Sequence, residues 1–317
     1  MRRSALVVLA FTSLASMAHA QSTPIDPTAQ FHVSWHDANE PGRAAAEHEL
    51  IDVHLALREL LSPRAQRNSA ARSAMIEPRL RDVRTQLEGI VERAPALVTA
   101  WLDLAEIDFE MRDGTAMLRH LTEAEVRAGN GPMRAAVLFQ LGIAHTMLDH
   151  FAEARATYLS ALELPLSNTA RGLSLCNLAE IETYLRAPDD SIAHYEACVN
   201  LLQGYDGGFW GLASAYDREG REYDAHEAAA RALSIDATAA SLTSHSVFYT
   251  PAYEVHYYLG LAREAQGRRD EALAEWQRYL DAGGANDPWA ERARAHVRAL
   301  GTHPSATPEP LHSRRRN

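Results

Sequence analysis

Apolar residues recur along this chain with a helical period, and one short layout of large, small and aromatic positions returns several times. Its clearest copy runs Tyr257-Tyr258-Leu259-Gly260-Leu261-Ala262, then Gly267, then Ala272-Leu273, Trp276 and Tyr279. In the second segment of that copy the apolar residues 272, 273, 276, 279 and 280 fall on one helical face. Leu138, Leu141, Gly142, Ala154, Tyr158 and Ala161 occupy the same offsets upstream. Leu175, Leu178, Ala179, Tyr195 and Cys198 repeat them, as do Phe209, Leu212, Ala213, Tyr216, Ala225, Ala229 and Ala232. Trp101, Leu104, Ala105, Leu121 and Ala124 form a first, weaker copy. Self-similarity of this kind predicts stacked helical hairpins rather than one globular centre.

The small residues at 105, 142, 179, 213 and 260 are separated by 37, 37, 34 and 47 positions. A small side chain belongs there because the two helices of a hairpin approach closely. The aromatic sixteen residues later fills the space beside the contact. The 47-residue interval predicts an insertion near 234–250, whose Val247, Phe248, Tyr249 and Thr250 are aromatic or β-branched. Upstream, Val83, Leu87 and Ile90 suit the second helix of a degenerate earlier pair, and Leu50 to Leu61 its first helix. Downstream, Asp287-Pro288 is an N-cap followed by a first-turn proline, opening a closing helix with Trp289, Val297 and Leu300.

These residues resemble the tetratricopeptide repeat, in which a large residue, Leu-Gly and a tyrosine are followed by Ala, an aromatic and Ala in a second helix. The resemblance implies an all-α, right-handed α-solenoid of about six helical hairpins plus a C-terminal capping helix, spanning 43–300. Two departures affect local packing: Asp108 stands where the first repeat would carry tyrosine, and Ser191 where the third would carry alanine. The family's inward-facing positions, carried onto this chain, are Glu106, Phe109 and Glu110, then Phe139, Gln140 and Met147, then Asn177, Glu180 and Tyr184. Trp210 and Asp217 follow, then Glu254, Tyr257, Tyr258 and Glu264. This mixture of acids and rings lacks the basic arrangement by which chaperone-binding members clamp a chain terminus. It implies a concave groove for an extended segment carrying basic and apolar residues, with rings to stack on it and acids to fix its register. The insertion is either a lid and partner contact or a spacer.

Composition narrows the chemistry. The start, Met1-Arg2-Arg3-Ser4, an apolar run from Ala5 to Met17 and the ending Ala18-His19-Ala20 match a secretory signal peptide over 1–20. Residues 21–42 and 301–317 are polar, contain proline, and read as disordered arms. The formal charge of −11 becomes −13 once Arg2 and Arg3 leave, which opposes binding to nucleic acid or anionic lipid. All 31 basic residues are arginine, so a P-loop lysine, a Schiff-base lysine and a Ser-Lys pair are excluded. No nucleophile elbow, dinucleotide fingerprint or Cys-x-x-Cys occurs. His48, Asp52 and His54 do not complete a zinc motif, and neither cofactor nor metal is expected. Cys176 and Cys198, 22 residues apart on two helices of one hairpin, suit either a disulfide or two buried thiols.

The reading is a non-catalytic, periplasmic or secreted scaffold for another protein, with an envelope protein as the partner. Two alternatives stay open: an enzyme or transport accessory with a substrate site near 234–250, and a glycan- or peptidoglycan-binding module using the groove aromatics.

Overall fold

The computed structural model describes residues 5–8, 42–62, 69–131, 133–244, 247–283 and 287–302. Most of the signal segment 1–20 and of the arms 21–42 and 301–317 lies outside the described residues. Thirteen α-helices are present among those described. They pair in chain order as α1 (Arg43–Leu60) with α2 (Ser69–Arg93), α3 (Val98–Glu110) with α4 (Gly114–Ala128), and α5 (Arg134–Met147) with α6 (Phe151–Leu162). The series continues as α7 (Asn168–Tyr184) with α8 (Pro188–Leu201), α9 (Asp206–Arg218) with α10 (Glu222–Ile235), and α11 (Val255–Ala265) with α12 (Arg269–Gly283). A closing helix, α13 (Ala290–Thr302), packs on α12. Six hairpins and one cap give the all-α solenoid that the repeat pattern predicts.

The last five hairpins turn in the same way. A residue in the left-handed region ends each first helix: Arg112 (φ 59°), Asp149 (59°), Arg186 (62°), Gly220 (71°) and Gly267 (71°). The next backbone N–H then reaches back to a carbonyl five residues earlier, as in Asp113 to Asp108 at 2.8 Å and Arg221 to Tyr216 at 2.9 Å. This is the Schellman closure, which satisfies carbonyls that a helix end would otherwise strand. Side-chain caps add to it, with Asp113 accepting from Ala116 N at 2.9 Å and Ser167 from Ala170 N at 3.2 Å.

Within each hairpin the aromatic of the second helix lies on the small residue of the first. A Cβ on Gly142 would sit 2.5 Å from the Tyr158 ring, and one on Gly260 2.6 Å from Trp276. Both rings are fully buried. Gly142→Leu is therefore expected to overpack the second repeat at a cost of about 1–3 kcal/mol or more, read as a lower urea midpoint. An unchanged midpoint would show that the ring and the helix are not in contact.

Both departures from the repeat pattern are compensated by polar partners. Asp108, fully buried, is hydrogen-bonded to His120 Nδ1 at 2.6 Å and forms an ion pair with Arg84 Nη2 at 3.2 Å. The matching position of the third repeat, Glu182, receives His194 Nδ1 at 2.6 Å and Arg155 at 3.1 Å. A buried carboxylate held by a histidine twelve residues on and an arginine from the preceding hairpin thus replaces the tyrosine twice. Ser191 Oγ bonds the Ala179 carbonyl at 2.8 Å and Thr183 Oγ1 at 2.7 Å, so the extra hydroxyl is satisfied. Cys176 and Cys198 form a disulfide between α7 and α8, with Cα atoms 5.4 Å apart.

The insertion holds a 3₁₀ turn (Ala240–Thr243), a strand (Val247–Thr250) and a second turn (Ala252–Glu254). That strand, β2, pairs antiparallel with β1 (Ala5–Val8), Ala5 opposite Thr250 and Val8 opposite Val247.

Candidate functional site

The inward positions fall on the first helices of successive hairpins: Glu106, Phe109 and Glu110 on α3, Phe139, Gln140 and Met147 on α5, and Asn177, Glu180 and Tyr184 on α7. Trp210 and Asp217 lie on α9, and Tyr257, Tyr258 and Glu264 on α11; Glu254 lies in the turn just before it. Their exposure is the first finding that sequence did not give. Glu106, Phe139, Gln140, Asn177, Glu180, Tyr184, Trp210, Asp217, Glu254, Tyr257 and Tyr258 are all buried.

The acids of this wall are held within the chain. Arg58 of α1 reaches Glu106, and Tyr195 and Tyr258 donate to Glu180, the latter at 3.1 Å. Asp217 is the hub of the C-terminal end. It accepts from Tyr257 OH at 2.5 Å, Arg292 Nη2 at 2.6 Å and His296 Nε2 at 3.0 Å. His296 Nδ1 also meets Glu264 at 2.8 Å, and Trp276 Nε1 donates to the same carboxylate. Glu254 pairs with Arg218 at 2.6 Å, both side chains being buried. These carboxylates of the expected groove thus have partners within the chain. Arg58 and the closing helix supply the cations for Glu106 and Asp217, while two tyrosines hold Glu180 and Arg218 of α9 holds Glu254.

Protonation follows from these contacts. Burial pushes Glu106 up to about 7, against the pull of Arg58. Burial opposes ionisation of Asp217 too, but hydrogen bonds from His296, Arg292 and Tyr257 outweigh it and hold the carboxyl at about 2. Burial likewise opposes a charged His296, and Asp217 and Glu264 overcome it to raise the ring to about 9.

The rest of the wall is apolar and polar-neutral. Phe139 lies 6.1 Å from Tyr158, and Tyr184 stacks on Phe151 at 5.3 Å. Gln140 Oε1, Tyr184 OH and Trp210 Nε1 are buried without a hydrogen-bond partner among the described residues. Such atoms are costly unless something completes them.

The insertion spans the mouth. Phe248 lies 6.0 Å from Phe109, Arg112 Nη2 donates to the Val247 carbonyl at 3.3 Å, and Thr250 Oγ1 donates to Asp149 at 2.6 Å. At its other side Tyr249 lies 5.8 Å from Tyr258. The segment therefore bridges the turns of the first and second of these repeats to the first helix of the fifth. Strand β1 lies beneath it, against α7 and α5. No group of three His, Cys, Asp or Glu among the described residues could hold a metal ion.

Sequence reasoning passed over Arg218, Arg292 and His296. Arg218 stands one residue beyond Asp217 at an inward position of the same repeat and was legible there. Phe248 lay in the insertion already noted, but nothing local indicated its reach.

No protein-family model and no curated protein matches the chain. Solved structures do. PilF of Pseudomonas aeruginosa superposes with a TM-score of 0.53 at 14% identity, over 80% of this chain and 99% of that one. PilW, described as a widely conserved type IV pilus biogenesis factor, gives 0.52 at 17% identity over 78% and 97%. A chain of the APC/C hetero-tetramer Cut9–Hcn1 gives 0.50 at 14% identity over 82% of this chain and 47% of its own length. At these identities the shared property is architecture. Together with the hairpin register, the common turn and the closing helix, it shows that the chain has the tetratricopeptide-repeat fold.

Proposed function

We propose that the protein is a non-catalytic scaffold that holds an extended, predominantly apolar segment of another protein in its concave groove, beside β2 and against α5 and α7. The observation that carries this reading is the position of the chain's own Ala5-Leu6-Val7-Val8. This apolar stretch lies extended along α5 and α7 and completes a two-stranded ladder with β2. Strand addition of this kind takes affinity from main-chain hydrogen bonds and selects alternate side chains by pockets. The unpartnered Gln140, Tyr184 and Trp210 atoms add donors and acceptors along the same wall.

If residues 1–20 are a leader removed on export, β2 loses its partner and presents a free edge to an envelope protein. Two features support an exported location. One is the bridge between Cys176 and Cys198, which suits an oxidising compartment, and the other is the signal-like pattern of residues 1–20.

The test is amide hydrogen exchange on residues 21–317, with and without a synthetic peptide of residues 1–12. The peptide is expected to slow exchange at 247–250 and along α5 and α7. A peptide with glutamate at alternate positions is expected to leave exchange unchanged. Equal behaviour of the two peptides, or no protection from either, would remove the reading.

A further inference from the structure

We infer that the outer face of α1 docks one amphipathic helix of another protein, apolar along one stripe and basic on its flanks. The face lies at the N-terminal end of the array and not in the concave groove, so it does not depend on the function proposed for that groove.

The two ends of the solenoid are finished differently. At the C-terminal end α13 packs on α12 and turns charge outward, its exposed Glu291 paired with Arg294 at 3.3 Å and Arg298 at 2.9 Å. A polar outer face of this kind is what a terminal unit of a stack requires. At the other end α1 packs on α2 and α3 and buries Leu50, Val53, Leu57 and Leu60. Its opposite side is open, with Ile51 58% and Leu55 61% exposed. The other large apolar residues exposed among the described residues, Val126 and Tyr223, stand singly on α4 and α10. Ala44 and His48 extend the line, so positions 44, 48, 51 and 55 form one ridge about 17 Å long. Apolar residues at that spacing mark a helix face that packs on another helix.

Charge selects the occupant. Exposed Asp52 and Glu59 border the ridge on one side, and Glu47, itself paired with Arg43 at 2.9 Å, borders it on the other. No ion pair engages Asp52 or Glu59 among the described residues. The nearby Arg58 is turned inward to Glu106. A partner with basic flanks complements this border. A second copy of the face would set acids against acids whichever way it were turned. The chain's own residues 21–41 carry Asp26, Asp37 and Glu40 and no arginine or lysine, so they are disfavoured in the same way. Residues 303–317 bring Arg314, Arg315 and Arg316 but a single large aliphatic residue, Leu311, which cannot cover the ridge. The side of a helix offers no free main-chain groups for an extended segment to pair with, whereas a helix satisfies its own and seats its ridge beside this one.

The test uses the full chain and a fluorescent peptide of three Leu-Lys-Ala-Leu-Lys-Lys-Ala heptads. One control peptide carries glutamate for lysine, and another has the same composition with its leucines scattered round the helix. Anisotropy is expected to show saturable binding of the first peptide and binding about tenfold weaker for either control. Ile51→Gln combined with Leu55→Gln is expected to weaken the first peptide about tenfold with an unchanged circular dichroism spectrum, while Tyr223→Gln leaves it unaffected. Asp52→Arg combined with Glu59→Arg is expected to shift preference toward the glutamate peptide. Because both native cysteines are bridged, Leu55→Cys places one free thiol on the ridge. Its alkylation is expected to run at the rate of an open thiol at every protein concentration and to slow when the lysine peptide is added. Protection independent of concentration would identify the chain's own arm as the cover, and protection that grows with concentration a second copy; either overturns the proposal. Equal binding of the scattered peptide, or full affinity in the Ile51 and Leu55 double variant, overturns it as well.

Discussion

Replacing Trp276 with alanine is expected to destabilise the protein by about 3–5 kcal/mol, as deletion of a buried indole does. Trp276 is fully buried, and its ring meets more than a core neighbour. It lies flat on Gly260, where any Cβ would clash with it, and edge-on to Tyr257 with centroids 4.9 Å apart. It also stacks on His296 of the closing helix at 4.3 Å and 12°, and its Nε1 donates to Glu264. The cavity would therefore open both the sixth hairpin and the seat of α13. Chemical denaturation should show the lower midpoint, and hydrogen exchange should show the loss of protection concentrated in α11 to α13. A change of less than about 1 kcal/mol would mean that the cap is held by other contacts.

Stability is expected to fall by about 2–3 kcal/mol between pH 6 and 9, with His296 as the cause. The sign follows from the direction of its shift. Its folded value of about 9 lies above the ordinary 6.5: burial opposes the charged ring, but the hydrogen bonds it donates to Asp217 and Glu264 outweigh that. The stabilisation is thus complete below 6.5 and is lost as pH rises through 9. Asp217, held at about 2 against an ordinary 3.8, gives the acid limb: its contribution is present above 3.8 and lost as pH falls toward 2. The two shifts report one contact and do not add. The Asp217–His296 contribution is level from about pH 4 to 6.5, while Glu106, raised to about 7, adds a separate loss as pH rises from 4.5 through 7 that His296→Gln leaves in place. His296→Gln should flatten the alkaline decline when denaturation midpoints are compared at pH 6, 7.5 and 9. An unaltered slope in that variant would assign the decline to another group, such as His54, which Asp103 also raises.

The repeat register was legible because it is local. The small residues at 105, 142, 179, 213 and 260 precede the left-handed turn residues 112, 149, 186, 220 and 267 by a constant interval, so one pattern fixes the helices and their turns. The closing helix was legible for the same reason, from Asp287, Pro288 and the apolar spacing after them. The exposure of the inward wall was not. Glu106 meets Arg58 across 48 positions and Asp217 meets His296 across 79, and no periodicity links such pairs. An acid on an inward position looks the same in sequence whether it faces solvent or a cation from a distant hairpin. The insertion showed its length and β-branched character, but its direction depends on Phe109 and Asp149, far upstream. The carboxylate at 108 looked like a packing defect until His120 and Arg84 were seen around it.

The bridging segment at 247–250 also alters how the array must come apart. In an open stack each unit leans only on its neighbours, and loss of order can start at either tip and travel inward. Here Arg112 is tied to Val247 across 135 positions, joining the early units directly to the late ones. Unravelling from one tip must therefore break a distant tether as well as the adjacent interface, so the middle of the molecule should melt as a block. The same tether is a long-range closure during folding, and such closures are slow because chain entropy is lost before the contact forms.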